Sequence, residues 1–219
     1  MADYLKPETV SLNALKERIM STDLVPSRAA LLVDIDSIFE KLAIRGVGTW
    51  FDLQVAIKNP KNLEAFAIDT GIEREYLVLL RREIEGYRPK IFNLSVIDWV
   101  PQEVIKKLID DGITTSEQLF SSVTDKDLRN DFADKVGIDH QMMDYLANLV
   151  SLCLVQWVSP TTGRMLIEAG YETPQKLSDA DGSELFEAMD RVNKKGQYFK
   201  GTIGLRDIKR LIEAAKYML

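Results

Sequence analysis

The stretch Leu42–Leu53, with the sequence LAIRGVGTWFDL, occurs in related form twice more, as LIDDGITTSEQL at 108–119 and as LIEAGYETPQKL at 166–177. All three copies share a Leu, a Gly four residues later, an apolar residue next to that Gly, a Thr and a second Leu. This pattern is typical of two helices joined by a tight turn, because glycine ends a helix in left-handed backbone and threonine caps the next helix. We expect a core that includes Leu42, Leu53, Phe66, Leu108, Leu119, Phe132, Leu166 and Leu177.

The first two copies agree beyond the turn itself. Gly46 and Gly112 are 112 − 46 = 66 residues apart, and the pairs Phe-Ala at 66–67 and Gly-Ile at 71–72 recur at the same offset. In the third copy, Gly204 follows Gly170 by 34 residues, whereas Gly137 follows Gly112 by only 25. About nine residues are therefore inserted in the third copy, and they include the basic segment 193–201.

Apolar residues between these turns recur every three to four positions, and no segment alternates with a two-residue period. The sequence therefore predicts an all-α protein of three tandem helix-hairpin-helix-like repeats, each of about four short helices. The predicted divisions are a lead-in at 1–27 with a helix at about 11–20, repeat 1 at 28–92, repeat 2 at 93–152 and repeat 3 at 153–219.

Composition excludes several classes of site. The chain has 219 residues, 46% of them apolar, with a net charge of −6, one Cys and one His. A disulfide framework, a Cys-rich zinc site and a His cluster each need several such side chains, and no glycine-rich phosphate-binding motif is present. We therefore expect no cofactor and no enzymatic activity, and we interpret the chain as an interaction module with a protein partner.

The apolar segments also bear on location. The amino terminus lacks the basic start and apolar run of a signal peptide, and the strongest apolar stretch, 149–158, is about half of the roughly 20 residues that span a bilayer. The single Cys153 lies inside that stretch, where a thiol acts as a small hydrophobe. The sequence predicts a cytoplasmic protein that does not bind membranes.

The repeat resembles a known helical family. The three Leu-to-Leu segments, Asn59-Pro-Lys-Asn-Leu-Glu-Ala65 and the joints at 70–72 and 136–138 are similar to the family catalogued as domain of unknown function 4332, over about residues 28–219. The family name carries no activity. The resemblance implies a helix-hairpin-helix-like fold and, by inheritance, nucleic-acid binding.

That inherited function depends on a Gly-apolar-Gly turn whose backbone N–H groups can hold a phosphate. Thirteen residues before each repeat glycine, this chain has Val-Asp-Ile at 33–35, Trp-Val-Pro at 99–101 and Trp-Val-Ser at 157–159. No glycine remains, Pro101 has no N–H, and Asp34 would repel a phosphate. The lost glycine turns and the acidic net charge both argue against nucleic-acid binding.

Several side chains allow two interpretations. Trp99 and Trp157 are either inter-helix plugs or stacking platforms for bases. His140 and Cys153 lie thirteen residues apart, about 20 Å along one helix, which is too far for a catalytic pair. Three pairs of carboxylates are either solvated helix caps or a metal site: Asp34 and Asp36, Asp110 and Asp111, and Asp179 and Asp181. An arginine cluster is interpreted as ion-paired helix surface. It consists of Arg81, Arg82 and Arg88 beside Glu83, Glu85, Tyr76 and Tyr87.

The carboxy-terminal segment 187–219 is basic, although the chain as a whole has a negative net charge. It holds eight basic and four acidic residues, a local charge of +4, with two aromatic residues in the insertion. Basic residues interleaved with aromatic ones are typical of a nucleic-acid or anionic-partner surface, and a solvated loop is the alternative. The candidate contact residues are Lys194, Lys195, Tyr198, Phe199, Lys200, Lys209 and Arg210.

Overall fold

The computed structural model describes residues 6–201 and 203–217, which form thirteen α-helices, two short 3-10 helices and no β-strand. The chain divides into two compact units, Tyr4–Arg88 and a second one that contains Pro89–Leu219. We call them the amino-terminal and carboxy-terminal units. Within the described residues, no helix is long and apolar enough to cross a membrane.

The amino-terminal unit contains five α-helices and one 3-10 helix around a single apolar core. Their bounds are α1 Leu12–Ser21, 3-10 Pro26–Leu32, α2 Ile35–Ile44, α3 Trp50–Ala56, α4 Pro60–Thr70 and α5 Arg74–Glu85. Helix α1 matches the predicted lead-in helix, and its N-cap Ser11 accepts a hydrogen bond from the backbone N–H of Ala14. The next four α-helices are the number expected for one repeat.

The carboxy-terminal unit contains eight α-helices, again four for each predicted repeat. Their bounds are 3-10 Leu94–Val96, α6 Gln102–Asp110, α7 Ser116–Val123, α8 Lys126–Val136, α9 His140–Leu152, α10 Pro160–Glu168, α11 Pro174–Ser178, α12 Gly182–Gly196 and α13 Leu205–Lys216. Helix α7 packs against α9, as α11 packs against α13.

The three glycine joints have the same local geometry. Gly46, Gly112 and Gly170 have φ angles of 82°, 87° and 93°, which only glycine adopts without strain. In each joint the N–H of the next apolar residue donates to the carbonyl of the Leu five residues earlier, with N···O distances of 3.2, 2.9 and 2.9 Å. This bond closes the Schellman motif that ends the helix.

The predicted threonine caps are present at all three joints. Thr49, Thr115 and Thr173 each accept, through Oγ1, the backbone N–H three residues later. Asp52 and Gln118 complete reciprocal capping boxes in the first two copies. The third copy replaces this box with Pro174 at the first helical position, where a missing N–H costs nothing.

Six of the eight predicted core residues are fully buried, namely Leu42, Leu53, Leu108, Leu119, Leu166 and Leu177. Phe66 and Phe132 are only half-buried. Their neighbours Ala67 and Ala133 occupy the buried positions instead. Each helix therefore packs the alanine methyl group into the core and leaves the phenylalanine ring at the edge of the core. Lys135 lies over the ring of Phe132, with Nζ 5.8 Å from the ring centre.

The insertion in the third copy is divided between a helix and a loop. Helix α12 has 15 residues, whereas α8 at the corresponding place has 11, so four inserted residues add about one helical turn. Helix α12 ends at Gln197 with a left-handed φ of 53°, and a loop then leads to Gly204, the N-cap position of α13. The predicted basic segment 193–201 therefore begins inside α12.

Candidate functional site

The predicted basic contact residues lie on three elements of the carboxy-terminal unit. Lys194 and Lys195 are exposed in the last turn of α12, Lys200 is exposed in the loop, and Lys209 and Arg210 follow each other on α13. Lys194 pairs with Asp190 across one helical turn, with an N···O distance of 2.6 Å. Lys195 and Lys200 make no ion pair with any residue that the structure describes.

These residues form two groups and not one. A β-carbon added to Gly182 would lie 3.2 Å from Cγ of Lys209, so Lys209 crosses α12 at its first residue. Lys194 is twelve residues further along α12, about 18 Å away at 1.5 Å per residue. The structure thus brings together Lys194, Lys195 and Lys200 near the end of α12 and separates them from Lys209 and Arg210.

The two aromatic residues of the insertion have different surroundings. Tyr198 is half-buried, and its hydroxyl donates to the Glu168 carboxylate, with O···O distances of 2.8 and 2.9 Å to the two oxygens. Burial and the bond to Glu168 raise the pKa of Tyr198. Phe199 is 37% exposed, and its backbone is held by the Asn193 side chain at both N–H and C=O. Only Phe199 therefore presents a ring to solvent.

Tyr198 belongs to a network that sequence reasoning missed. The Arg164 guanidinium on α10 lies 4.8 Å from the ring centre of Tyr198 and 5.2 Å from that of Trp99, and its Nε donates to Glu168 at 2.8 Å. Trp99 in turn donates through Nε1 to the hydroxyl of Tyr145, 2.7 Å away. No spacing in the sequence joins residues 99, 145, 164 and 198. Only the packing of α9 and α10 with the segments before α6 and after α12 brings them together.

Trp99 and Trp157 differ in structure although they occupy corresponding positions. Trp99 is half-buried in the Arg164 network, as expected of an inter-helix plug. Trp157 is 43% exposed, has a left-handed φ of 68°, and lies under the Arg210 guanidinium at 4.2 Å from ring centre to Cζ. The ring of Trp157 is therefore a cation–π partner in a residue that stays partly exposed to solvent.

A family model described as Domain of unknown function (DUF4332) matches residues 100–218, more than half of the chain. The chain belongs to this family. Comparisons with curated proteins and with solved structures find no match. The DUF4332 match covers most of predicted repeats 2 and 3 and all the candidate contact residues, whereas repeat 1 lies outside it.

In this DUF4332 protein, the triplets that replace the expected glycine turns each lead into a helix. Asp34, Pro101 and Ser159 are the N-cap residues of α2, α6 and α10. Asp34 has a left-handed φ of 52°, and its side chain makes no capping bond. The second triplet loses a backbone donor at Pro101, and Pro160 directly after the third triplet removes another, whereas the first triplet keeps all three N–H groups.

His140 and Cys153 stand at opposite ends of α9. The Nε2 atom of His140 lies 2.8 Å from the Asp134 carboxylate at the surface. Cys153 is buried at the C-cap, and burial raises the pKa of its thiol to about 12. The DUF4332 chain therefore keeps this thiol protonated and apart from the imidazole at neutral pH.

The carboxylate pairs are divided among caps and ion pairs. Asp36 pairs with Lys16, Asp111 with Lys135, and Asp110 with Lys106. Asp181 caps α12, and its bonds to the backbone N–H groups of Glu184 and Ser183 lower its pKa. Among the described residues, no group of three or more His, Cys, Asp or Glu could hold a metal ion.

The arginine cluster of the amino-terminal unit is ion-paired only in part, as Arg81 lies 3.6 Å from Glu85. Glu83, expected at the surface, is instead 9% exposed and lies 3.5 Å from Arg28. Arg18 is 6% exposed and stacks on the Tyr87 ring at 4.1 Å. Sequence reasoning missed these buried charges, because Arg18 and Glu83 lie on amphipathic helices like any surface residue.

Proposed function

We propose that this DUF4332 protein is a non-catalytic interaction module made of three tandem helix-hairpin-helix-like units, and that its partner is a protein. The shared turn geometry at Gly46, Gly112 and Gly170 supports the repeat. The four-helix content of each copy supports it as well. A third line of support comes from an ion pair that recurs with its charges exchanged.

Arg45 at the end of α2 binds Asp69 on α4, with a nitrogen to Oδ1 distance of 3.2 Å. Sixty-six residues later, Asp111 at the end of α6 binds Lys135 on α8 at 2.8 Å. The positions correspond, but the signs of the two charges are swapped. The same helix ends thus meet in both copies, although no charged residue is shared between them.

The observation that carries the interaction function lies beside this ion pair. Ile44 and Ile68 directly precede Arg45 and Asp69 and are 75% and 78% exposed. At the corresponding positions, the second copy has the carboxylates of Asp110 and Asp134. Single exposed apolar side chains are common. Two on neighbouring helix ends, where a related unit carries two charges, favour a protein partner that covers an apolar surface.

The test replaces these two side chains with the residues of the second copy. The Ile44→Asp, Ile68→Asp double variant should fold, because Asp is tolerated at both positions of the second copy. Leu128→Asp, at a residue that is 58% exposed on α8, is the matched control. Partners crosslinked to the wild-type protein in its own cells are purified, and their dissociation constants are measured.

We expect crosslinks close to residues 44 and 68, and binding at least tenfold weaker for the double variant, a loss of about 1.4 kcal/mol. The Leu128→Asp control should bind like the wild type. Crosslinks confined to other surfaces, or equal affinity for the wild type and the double variant, would reject this function.

Nucleic-acid binding through the third copy is the second candidate. It is favoured by Lys195 and Lys200, which no described residue neutralises and which flank the exposed Phe199 in the sequence. Basic side chains around a solvent-facing aromatic ring can hold a phosphate backbone while a base stacks. The net charge of −6 opposes this function at long range.

Labelled single- and double-stranded DNA and RNA are titrated at about 50 mM salt against wild type and a Lys194, Lys195, Lys200 triple alanine variant. Phosphate-driven binding should weaken steeply with added salt and in this variant, but not in an Arg81, Arg82, Arg88 triple alanine control. Absence of binding by the wild type at low salt rejects the candidate. Loss of binding only in the arginine control moves the site to the amino-terminal unit.

We also place the protein in the cytoplasm. The support is the single buried thiol of Cys153, which suits a reducing compartment. Fluorescence microscopy of the tagged full-length chain tests this location.

A further inference from the structure

A cavity of about 250 Å³ lies among α7, α8, α9 and the start of α11 in the carboxy-terminal unit. Its wall is half polar and half apolar, and none of the described residues that line it is acidic. The residues that matter here are Phe120, Val123, Arg129, Ala147, Asn148 and Thr173. This volume is below the roughly 300 Å³ at which sites for drug-sized ligands begin, so the cavity suits a smaller molecule.

Arg129 is the charged group of the cavity, and it occupies a core position of the repeat. Its counterpart 66 residues earlier is Leu63, which is 1% exposed in the core of the amino-terminal unit. The Arg129 side chain is 18% exposed, and one terminal nitrogen lies 3.1 Å from the Asp144 carboxylate. Its Nε is fully buried, so the terminal nitrogens of the guanidinium are the donors that remain for a ligand in the cavity.

Two further donors face the same space. The half-buried amide of Asn148 makes no hydrogen bond to any residue that the structure describes. Thr173 accepts the N–H of Lys176 through Oγ1, which leaves its hydroxyl proton free to donate. A guanidinium, an amide NH₂ and a hydroxyl are together the donor set for an oxyanion.

Part of the lining is apolar and well packed. Phe120, Val123 and Ala147 line it and are 5%, 3% and 3% exposed. An apolar ligand body placed there would leave water without disturbing the fold. Asp144 already neutralises part of the guanidinium charge, so a single negative charge suits the site better than two.

From this geometry we propose that the cavity binds a small organic carboxylate with an apolar body. The carboxylate accepts hydrogen bonds from Arg129, Asn148 and Thr173, and the body lies against Phe120 and Val123. This site is separate from both surfaces considered above, so its test does not depend on theirs.

The experiment titrates the full-length protein with benzoate and follows backbone amide shifts by NMR. Benzamide is the neutral probe of nearly the same shape, acetate lacks the apolar body, and inorganic phosphate supplies a different oxyanion. We expect saturable shifts for benzoate in α7, around Arg129 on α8, in α9 and at the start of α11. Binding should be at least tenfold weaker for the other three probes.

Arg129→Leu restores the residue that the first copy has at this position, so this variant should fold and should lose benzoate binding at least tenfold. Asn148→Ala should weaken binding severalfold. Arg191→Leu, at an exposed arginine paired with Glu187, is the matched control and should bind benzoate like the wild type. The proposal fails if benzoate shifts no amide around the cavity, if benzamide binds equally well, or if Arg129→Leu binds as tightly as the wild type.

Discussion

At the scale of single residues, the glycines with left-handed backbone are required by their backbone conformation alone. A β-carbon added to Gly46 would meet nothing within 4 Å, so the cost of replacing it is conformational and not steric. We expect Gly46→Ala to lower the free energy of unfolding by about 1–2 kcal/mol, because an L-residue is strained at a φ of 82°. Urea unfolding of the full-length chain measures this loss.

Gly48, two residues later in the same joint, is the matched control. Its φ is not positive, and an added β-carbon would make ordinary contact with Asp52 at 3.6 Å. Gly48→Ala should therefore change the free energy of unfolding by less than about 0.5 kcal/mol. Equal losses in the two variants would show that the backbone conformation of Gly46 is not what the joint requires.

At the scale of elements, the loop after α12 is held to α10 by Tyr198. The ring of Tyr198 lies against Gly196, where an added β-carbon would collide with it. Gly196→Ala should displace this ring, break its bond to Glu168 and release the loop that carries Lys200 and Phe199. We expect trypsin to cleave at residues 194–200 severalfold faster in this variant, because a loop that is no longer held to the helix is more accessible to the protease.

Gly201→Ala serves as the control, since nothing lies within 4 Å of its added β-carbon. Its cleavage rate should match that of the wild type. Tyr198→Phe tests the role of the hydroxyl apart from that of the ring, because it removes the bond to Glu168 but keeps the stacking on Arg164. Its cleavage rate should lie between those of the wild type and Gly196→Ala. If Gly196→Ala is cleaved no faster than wild type, Tyr198 does not hold the loop.

At the scale of the whole molecule, buried tyrosines make stability depend on alkaline pH. Burial raises the pKa of Tyr76 from 10.0 to about 12, and burial followed by the charge of Glu83 raises the pKa of Tyr87 as well. Below pH 10 both phenols are protonated in the folded and the unfolded chain. Above pH 10 the unfolded chain loses these protons first, so the free energy of unfolding falls as pH rises towards 12.

Urea unfolding at pH 9, 10 and 11 checks this expectation. By pH 11 the wild type should have lost about 2–3 kcal/mol more than the Tyr76→Phe, Tyr87→Phe double variant, which has no phenols to ionise at these positions. All other side chains are the same in both proteins, so the difference between the two curves isolates these phenols. Parallel curves for the two proteins would contradict the expectation.

The sequence by itself determined the all-helical class, the position of α1, the glycine joints and the threonine caps, because each follows from neighbours within one turn of backbone. Gly46, Gly112 and Gly170 were identified by the Leu and Thr around them, and the structure gives all three left-handed backbones. The insertion in the third copy also followed from the sequence, because Gly204 lies further from Gly170 than Gly137 lies from Gly112. Burial of the six predicted leucines followed from their position on each helix beside a joint.

Only the tertiary structure decided features that depend on which helices meet and at what angle. It placed Ala67 and Ala133 inward in place of the neighbouring phenylalanines, and it separated Lys209 from Lys194 by the length of α12. It also assembled the Arg164 network and the cavity beside Arg129. These contacts join residues far apart in the chain, and helix periodicity gives the face of each side chain but not the partner opposite it.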